Sequence, residues 1–432
     1  MSSTGPERGG SAPRRLWRVL GPGLITGAAD DDPSGIATYA QAGVQYGFAL
    51  GWLLILTYPL MVAIQAICAR VGRTTGAGIT ANLRRHYPGW VVQVIVVLLF
   101  GANVLNIGAD LAAMAESARL LAPVPMWAAV MLFAAACAIG PVWMSHSSYV
   151  GILKWLTLSL LAYFGTLFAV HVPWLDLLQG LIWPRFSTDR DFWLTVVAIL
   201  GTTISPYLFF WQASQEAEDT KARPWRQPLL EQPRQAPRAL ARIRLDTLVG
   251  MGLSNLVALA IMITFAATLH GQGLKDIGTA AQAAAALRPV AGPWSLVLFA
   301  GGVIGTGLLS VPILAGSAAY AIGEARRWPV GLSRAPLEAR AFYATIVVAT
   351  VLGALLNTFH VGPIKALVWA ATLNGIAAAP VMAMVMLLGT RQAVLGEFRI
   401  SLRLQVVGWF ATGVMAAAEI AFAYSALQFH GG

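Results

Sequence analysis

The chain has 432 residues, of which 57% are hydrophobic and only 11% are Asp, Glu, Lys or Arg. An average soluble chain is about 25% charged, so this chain has too few charges to cover an aqueous surface. The composition therefore excludes a soluble globular protein, a disordered chain and a nucleic-acid binder, despite a net charge of +10. We expect a multi-pass membrane protein surrounded by a lipid bilayer.

The apolar stretches predict eleven membrane-spanning helices, because a helix needs about 20 apolar residues to cross the hydrocarbon core. The predicted spans are 17–46, 48–72, 91–120, 126–145, 148–172, 191–214, 244–270, 293–324, 341–358, 362–389 and 405–427. Residues 1–16 are predicted to form a polar, basic cytoplasmic tail, since the apolar stretch after them lacks the cleavage site of a signal peptide.

The basic residues are distributed unevenly between the two sides of these spans. With the N-terminus in the cytoplasm, cytoplasmic segments hold 22 of the 29 Lys and Arg residues. Because Lys and Arg favour cytoplasmic loops, we expect a cytoplasmic N-terminus and an external C-terminus in the cell (inner) membrane. The longest connection, 215–243, carries four prolines among basic residues and is predicted to be a solvated, mobile cytoplasmic linker.

Two spans that lie five crossings apart carry an interruption centred on a proline. The first contains Asp30-Asp31-Asp32-Pro33-Ser34-Gly35, and the sixth contains Gly201-Thr202-Thr203-Ile204-Ser205-Pro206-Tyr207. Because proline removes a backbone donor, we expect free carbonyls near Ala29 and Thr202. Interrupted spans at corresponding places in two halves are typical of a transporter site.

The spacing of the two interrupted spans also predicts the domain organisation. Spans separated by an odd number of crossings run in opposite directions, which is the geometry of an inverted repeat. We therefore expect a first five-helix repeat at 17–172 and a second at 191–389, followed by an eleventh helix and external C-terminus at 405–432.

The three aspartates in the first interruption predict a cation as the ligand. A carboxylate at membrane depth costs about 2.5–3.5 kcal/mol on insertion scales, so three adjacent ones need a cation or water nearby. We expect Asp32 and Asp31 to face a bound metal ion, and Asp30 to face an aqueous vestibule.

At these residues the sequence resembles the NRAMP family of divalent-metal transporters. The family's opening Gly-Pro-Gly is matched by Gly21-Pro22-Gly23, its Asp-Pro-Gly-Asn by Asp32-Pro33-Ser34-Gly35, and its Met-Pro-His by Ser205-Pro206-Tyr207. The resemblance implies an all-α polytopic membrane protein with a LeuT-type 5+5 inverted repeat, about eleven transmembrane helices, and discontinuous helices 1 and 6. It places Asp32 on the metal-binding aspartate, and Ala29 and Thr202 on positions that offer backbone carbonyls.

The departures from the family motifs are informative. Gly35 replaces the asparagine ligand, Ser205 the methionine ligand and Tyr207 the histidine. Asp110 matches an acidic position associated with proton movement, while the other acidic positions of that span have become Asn103 and Ala113. These exchanges resemble the NRAMP-related magnesium transporters, a branch of the family.

The substitutions favour a hard cation as the cargo. Oxygen ligands suit Mg²⁺ and Mn²⁺, whereas the thioether of methionine favours softer metals. Glycine at position 35 also removes bulk, which predicts a roomier site for an ion that keeps several waters. We expect import of Mg²⁺ and Mn²⁺ by alternating access, with weak or no proton coupling because a proton relay needs several titratable groups. Tyr207 is predicted to pack at the gate, with an ordinary buried aromatic as the alternative, and Asn374 to reach the site, with a helix–helix hydrogen bond as the alternative.

Other functions remain as alternatives. They are a proton-coupled Mn²⁺/Fe²⁺ importer, another LeuT-type solute carrier, a metal sensor or channel, and an intramembrane aspartyl protease using Asp32 and Asp110. The sequence lacks the GxxxxGK[ST] phosphate-binding loop, so no nucleotide is expected as a partner. We expect neither an enzyme nor a resident cofactor; the metal ion is the substrate.

Overall fold

The computed structural model describes residues 22–143, 162–222, 225–359 and 362–428, and within these ranges helices are the only regular elements. Eighteen α-helices lie in the described ranges: α1 (Pro22–Asp30), α2 (Pro33–Tyr46), α3 (Gly51–Thr75), α4 (Ile79–His86), α5 (Gly89–Arg119), α6 (Met126–Trp143), α7 (Ala162–Ala169), α8 (Trp174–Ile182), α9 (Arg190–Thr203), α10 (Pro206–Ala222), α11 (Ala236–Thr268), α12 (Ala280–Ala285), α13 (Arg288–Ala291), α14 (Ser295–Arg326), α15 (Arg340–Leu356), α16 (Pro363–Thr390), α17 (Gln392–Leu395) and α18 (Leu402–Gln428). Short 3₁₀ turns lie at Pro233–Gln235, His270–Gln272, Gly292–Trp294, Asn357–Phe359 and Gly396–Phe398.

Seven helical segments of the described chain are long and apolar enough to cross a membrane: Gly51–Thr75, Gly89–Arg119, Arg190–Lys221, Pro233–Gln272, Gly292–Arg326, Pro363–Thr390 and Leu402–Leu427. Shorter apolar helices lie at Met126–Gly140 and Arg340–Leu356, where two more spans are predicted. The protein is therefore a multi-pass membrane protein. The predicted tail, Gly21, and most of the predicted fifth span lie outside the described residues.

The two interruptions predicted from the sequence are confirmed. The first transmembrane helix is split into α1, which ends at Asp30, and α2, which begins at Pro33. The sixth is split into α9, which ends at Thr203, and α10, which begins at Pro206. Proline fits the first position of a helix, where its missing N–H would have no partner in any case, so each new segment starts at the proline.

The two broken helices lie in the middle of the bundle. α1 and α2 pack against α11, while α9 packs against α16 and α10 against α3 and α14; α5 contacts α14, α15 and α16. Small residues allow this close approach, since a Cβ on Gly27 would collide with the Gly250 carbonyl and one on Gly201 with the backbone at Ala371. Backbone freed at the breaks is thus enclosed by protein, as the absence of water in lipid requires.

Residues 225–235, the middle of the predicted linker, contact the end of α3. Arg73, at the end of α3, donates hydrogen bonds to the Gln227 carbonyl at 2.5 Å and to Gln235 Oε1 at 2.7 Å. The backbone N–H of Leu229 bonds to the Arg73 carbonyl at 3.3 Å, and the Leu229 side chain is fully buried. Most residues of the segment are exposed, as the prediction of a solvated linker requires, while a buried leucine and a guanidinium with five donors join it to α3. Its mobility stays a prediction.

The bundle has two distinct ends. One end, here called the arginine-rich end, carries the 225–235 segment and the junction where Glu324 accepts hydrogen bonds from the backbone of Gly78 and Ala81. The other, here called the vestibule end, carries residues 119–125 and 277–285. α5 begins at the arginine-rich end and finishes at the vestibule end with Arg119.

Candidate metal-binding site

Asp32 caps the second half of the first broken helix. Its Oδ1 accepts hydrogen bonds from Ser34 Oγ at 2.6 Å and from the Gly35 N–H at 2.7 Å. A side-chain oxygen at this position satisfies the free N–H groups of a helix start, whose dipole also favours a negative charge. The residue is only 2% exposed, so the carboxylate is held in one orientation inside the protein.

The second oxygen of Asp32 faces two other helices. Asn106 Nδ2 on α5 donates to Asp32 Oδ2 at 3.0 Å, and the Tyr207 hydroxyl lies 3.5 Å from the same oxygen. Asn106 is a site residue that the sequence reasoning missed. A signal existed, because Asn103, Asn106 and Asp110 recur at helical spacing in an otherwise apolar span.

Tyr207 connects the two interruptions. It is fully buried, and its hydroxyl donates a 2.8 Å hydrogen bond to the carbonyl of Ala29. The Ala29 carbonyl, expected to face the metal, therefore already accepts a hydrogen bond from Tyr207 on α10. Its oxygen has a second lone pair that a cation could use. The two predicted residues, Ala29 and Tyr207, are brought together beside Asp32.

Ser205 caps the end of α9. Its Oγ lies 2.9 Å from both the Gly201 and the Thr202 carbonyls, so the hydroxyl satisfies backbone oxygens freed by the break. The hydroxyl oxygen keeps its lone pairs and remains a possible ligand. Thr202 Oγ1 is buried and has no hydrogen-bond partner within the described part of the chain.

The expected roomier site at Gly35 is not present in this conformation. A Cβ at Gly35 would lie 3.1 Å from Thr202 Oγ1 and 3.3 Å from the Asp30 carbonyl oxygen. The space that a larger residue would need is therefore taken by Thr202 and by the end of α1. The absence of a side chain lets α2 approach α9 closely.

The two remaining aspartates of the first break turn toward α11. Ser254 Oγ lies 2.7 Å from Asp30 Oδ2 and 3.2 Å from Asp31 Oδ1. Asp30 is 1% exposed, so the expectation that it faces an aqueous vestibule is wrong. Asp31 as a metal ligand stays a prediction. No signal in the sequence marked Ser254, since isolated serines are common in membrane helices.

Asp110 and Asn374 are both buried polar residues. Asp110 Oδ2 accepts a 3.1 Å hydrogen bond from Ser310 on α14, while its Oδ1 is without a partner among the residues described. Asn374 on α16 is 1% exposed, and neither atom of its amide is hydrogen bonded within the same residues. The alternative of a helix–helix hydrogen bond for Asn374 is therefore wrong here, and its amide is available to another ligand.

The donors that converge on the breaks are oxygens. The Asp32 carboxylate lies beside the Tyr207 hydroxyl, and Ser205 and Thr202 add hydroxyls and carbonyls at the facing break. In the described ranges no group of three or more His, Cys, Asp or Glu residues could hold a metal ion. One carboxylate with neutral oxygens can hold a hard cation that keeps part of its water shell.

Curated relatives have similar sequences over much of the chain. The divalent metal cation transporter MntH of Burkholderia ambifaria is 26% identical over 436 residues, covering 96% of this chain and 90% of that protein. The protein of the same name from Deinococcus radiodurans is 27% identical over 318 residues, covering 70% of this chain and 69% of its own length.

Solved structures share the fold. The manganese transporter of Eremococcus coleocola matches with a TM-score of 0.74 at 17% identity, covering 99% of this chain and 90% of that one. Mhp1, described as a nucleobase-cation-symport-1 family transporter, matches with a TM-score of 0.61 at 12% identity, covering 95% and 93%. These matches confirm the expected all-α, LeuT-type architecture, and at such low identity they show the fold alone.

A family model gives the broadest match. The model described as natural resistance-associated macrophage protein-like covers residues 23–425, which include both interruptions and every helix from α2 to α17. The chain belongs to the natural resistance-associated macrophage protein (NRAMP) family.

Proposed function

We propose that this protein carries divalent metal cations across the membrane by alternating access, with Mg²⁺ and Mn²⁺ as the favoured ions. The observation that carries the proposal is the set of possible ligands at the two breaks, which among the described residues consists of the Asp32 carboxylate with hydroxyl and carbonyl oxygens and contains no sulfur. The carboxylate is fixed by α2 and α5, and the hydroxyl of Ser205 lies at the facing break. The curated relatives are named as divalent metal cation transporters, which supports the same class of cargo.

The preference for hard ions follows from the chemistry of Ser205. A thioether at this position would favour softer metals, whereas a hydroxyl oxygen gives no such advantage. Mg²⁺ gives up its water reluctantly and binds through one or two carboxylates with several waters retained. A site with Asp32 as its main charge matches that requirement, and we propose little discrimination between Mg²⁺ and Mn²⁺.

We further propose that the N-terminus and the arginine-rich end face the cytoplasm of the inner membrane, so that the C-terminus and the vestibule end face outward. The support is the distribution of Lys and Arg between the two ends. In this orientation the protein imports its cargo, and it needs neither a nucleotide nor a resident cofactor.

Weak or absent proton coupling is part of the proposal. Asp110 bonds to Ser310, and the polar residues that follow it toward the arginine-rich end of α5 are two asparagines, Asn106 and Asn103. Asn103 donates to the Leu314 carbonyl at 2.8 Å and to Ser317 at 2.7 Å, so it acts as a structural bridge. Asparagine does not titrate, so a relay along α5 is broken at this point.

A flux assay in proteoliposomes tests the proposal with Mg²⁺, Mn²⁺, Ca²⁺ and Cd²⁺ as separate cargoes. We expect the wild type to carry Mg²⁺ and Mn²⁺, Asp32→Ala to lose transport, and Ser205→Met to gain Cd²⁺ transport. Asp176→Asn, which removes an exposed carboxylate on α8, is the matched control and should behave as wild type. Transport of Cd²⁺ by the wild type with exclusion of both hard ions would refute the ion preference.

Proton movement is measured in the same liposomes with an internal pH indicator. We expect metal flux without stoichiometric acidification. Acidification that depends on metal and disappears in Asp110→Asn would instead support the alternative, a proton-coupled Mn²⁺/Fe²⁺ importer.

A further inference from the structure

Two cavities lie between the vestibule end and the break at Asp32, and they share Glu116 in their linings. The outer cavity has a volume of about 550 Å³ and is lined by Glu116, Arg119 and Thr279 among other residues. The inner cavity has a volume of only about 20 Å³ and extends to Pro33, the residue after Asp32. Glu116 lines both cavities, so it lies at the point where the wide space becomes narrow.

The inner cavity offers almost no other polar contact. Apart from Glu116 and Ser117, its lining side chains are apolar, including those of Ile36, Phe299 and Leu367. A free volume of this size holds about one water molecule, so a hydrated divalent cation does not fit in this conformation. A cation from the vestibule end therefore reaches the Glu116 carboxylate before the helices move and expose Asp32.

One oxygen of the Glu116 carboxylate is hydrogen bonded, and the other has no hydrogen-bond partner in the part of the chain that the structure describes. Its Oε1 accepts a 3.1 Å hydrogen bond from the Ala280 N–H, at the start of α12. Its Oε2 is buried and has no hydrogen-bond partner among the described residues. A buried carboxylate oxygen that lacks a partner is costly unless a ligand or water supplies one.

The positive charge nearest to Glu116 in the cavity is outside the narrow part. Arg119 lines only the outer cavity, is exposed, and forms no ion pair with Glu116 in the described structure. A cation that has passed Arg119 is less strongly repelled by its guanidinium. Deeper in the cavity it meets the Glu116 carboxylate, which has no ion-pair partner among the residues described. Removal of the Glu116 charge should therefore weaken cation binding from the vestibule side, whereas removal of the Arg119 charge should strengthen it.

We propose that Glu116 is an external binding position for a hydrated divalent cation, occupied before the cation reaches Asp32. The inference rests on the proposed transport of divalent cations. The Glu116 side chain supplies one carboxylate oxygen by turning toward the outer cavity, which it lines, and the cation keeps most of its waters there. The position raises the local cation concentration at the mouth of the pathway.

Glu116→Gln isolates the role of the charge. Glutamine keeps an acceptor for the Ala280 N–H but removes the negative charge, so the contact between α5 and the 277–285 segment is preserved. We expect the KM for Mg²⁺ and Mn²⁺ supplied from the vestibule side to rise about fivefold, equivalent to about 1 kcal/mol, with the maximal rate nearly unchanged. With cation supplied from the arginine-rich side, the KM should not change.

Two further variants serve as controls. Arg119→Gln should lower the KM from the vestibule side, because it removes a repulsive charge. Asp176→Asn removes an exposed carboxylate at the same end of the bundle and should leave the KM unchanged, which excludes a general effect of surface charge. Equal KM values for Glu116→Gln and wild type from the vestibule side would overturn the proposal.

A binding measurement separates this site from the proposed transport function. Mn²⁺ binding is followed by electron paramagnetic resonance in the Asp32→Ala protein, which lacks the inner carboxylate. We expect residual weak binding that disappears in Asp32→Ala/Glu116→Gln. If the wild type fails to transport while Asp32→Ala still binds Mn²⁺ weakly, the proposed transport function is wrong and the external site at Glu116 is supported. If the double variant binds Mn²⁺ as well as Asp32→Ala does, the external site is wrong.

Discussion

The hydroxyl of Tyr207 donates a 2.8 Å hydrogen bond to the carbonyl of Ala29. A side chain from the break between α9 and α10 therefore bridges to the break between α1 and α2. The same hydroxyl lies 3.5 Å from Asp32 Oδ2. Tyr207 therefore occupies the position between the two groups that the proposed cation would contact. A cation that binds Ala29 and Asp32 has to share these oxygens with Tyr207 or displace its hydroxyl.

We expect Tyr207→Phe to destabilise the cation-free protein by about 1–2 kcal/mol, because the buried Ala29 carbonyl loses its partner. Mg²⁺ should restore part of the loss, since the cation offers the carbonyl a new partner. Thermal unfolding in detergent with and without Mg²⁺ measures both effects. Tyr424→Phe, at an exposed tyrosine of α18, is the control, and an equal response of both variants to Mg²⁺ would contradict the assignment.

Asn106→Ala should weaken cation binding because Asn106 Nδ2 orients the Asp32 carboxylate. Loss of a residue that orients a metal ligand typically reduces affinity 10- to 100-fold, and we expect about tenfold for Mn²⁺. Asn103→Ala, one turn earlier on α5, breaks bonds to α14 instead and should lower stability without changing the Mn²⁺ affinity. Calorimetric titration of the two purified variants distinguishes these outcomes, and equal affinities would refute the role of Asn106.

Gly35→Ala should fail to give the roughly 1 kcal/mol of stability that alanine gains over glycine inside a helix, because the new methyl group would press against Thr202 Oγ1. Thr202→Ala removes that contact, so the double variant should be more stable than the sum of the two single variants predicts. A double-mutant cycle of chemical unfolding measures the difference. Strict additivity would show that α2 and α9 do not press on each other at this point.

Arg73→Ala should release the 225–235 segment from α3, because its bonds to Gln227 and Gln235 are lost. The segment contains Arg226 and Arg234, so we expect faster cleavage by trypsin at these two residues. Arg70→Ala is the matched control, since Arg70 bonds to the carbonyl of Arg399 rather than to this segment. Unchanged cleavage of Arg73→Ala in a time course analysed by mass spectrometry would contradict the assignment.

Local properties of the chain were sufficient to predict the helices and their interruptions. Hydrophobicity over about 20 residues defines a span, and a proline removes a helix donor, which favours an interruption where other polar residues accompany it. For this reason Pro33 and Pro206 begin new helices where the sequence predicted a break. Proline alone is not sufficient, since Pro59, Pro312 and Pro380 lie inside α3, α14 and α16. The position of Asp32 at the start of α2 follows from the same local signal, and its role as a metal ligand stays a prediction.

The partners of these groups were decided by the tertiary structure. Asn106 meets Asp32 across 74 residues of sequence, and Ser254 meets Asp30 across 224. The burial of Asp30 and the anchoring of residues 225–235 by Arg73 likewise depend on which helices become neighbours. Hydrophobicity and proline act along the chain and can be read from it, whereas a hydrogen bond between distant helices depends on packing that no short segment encodes.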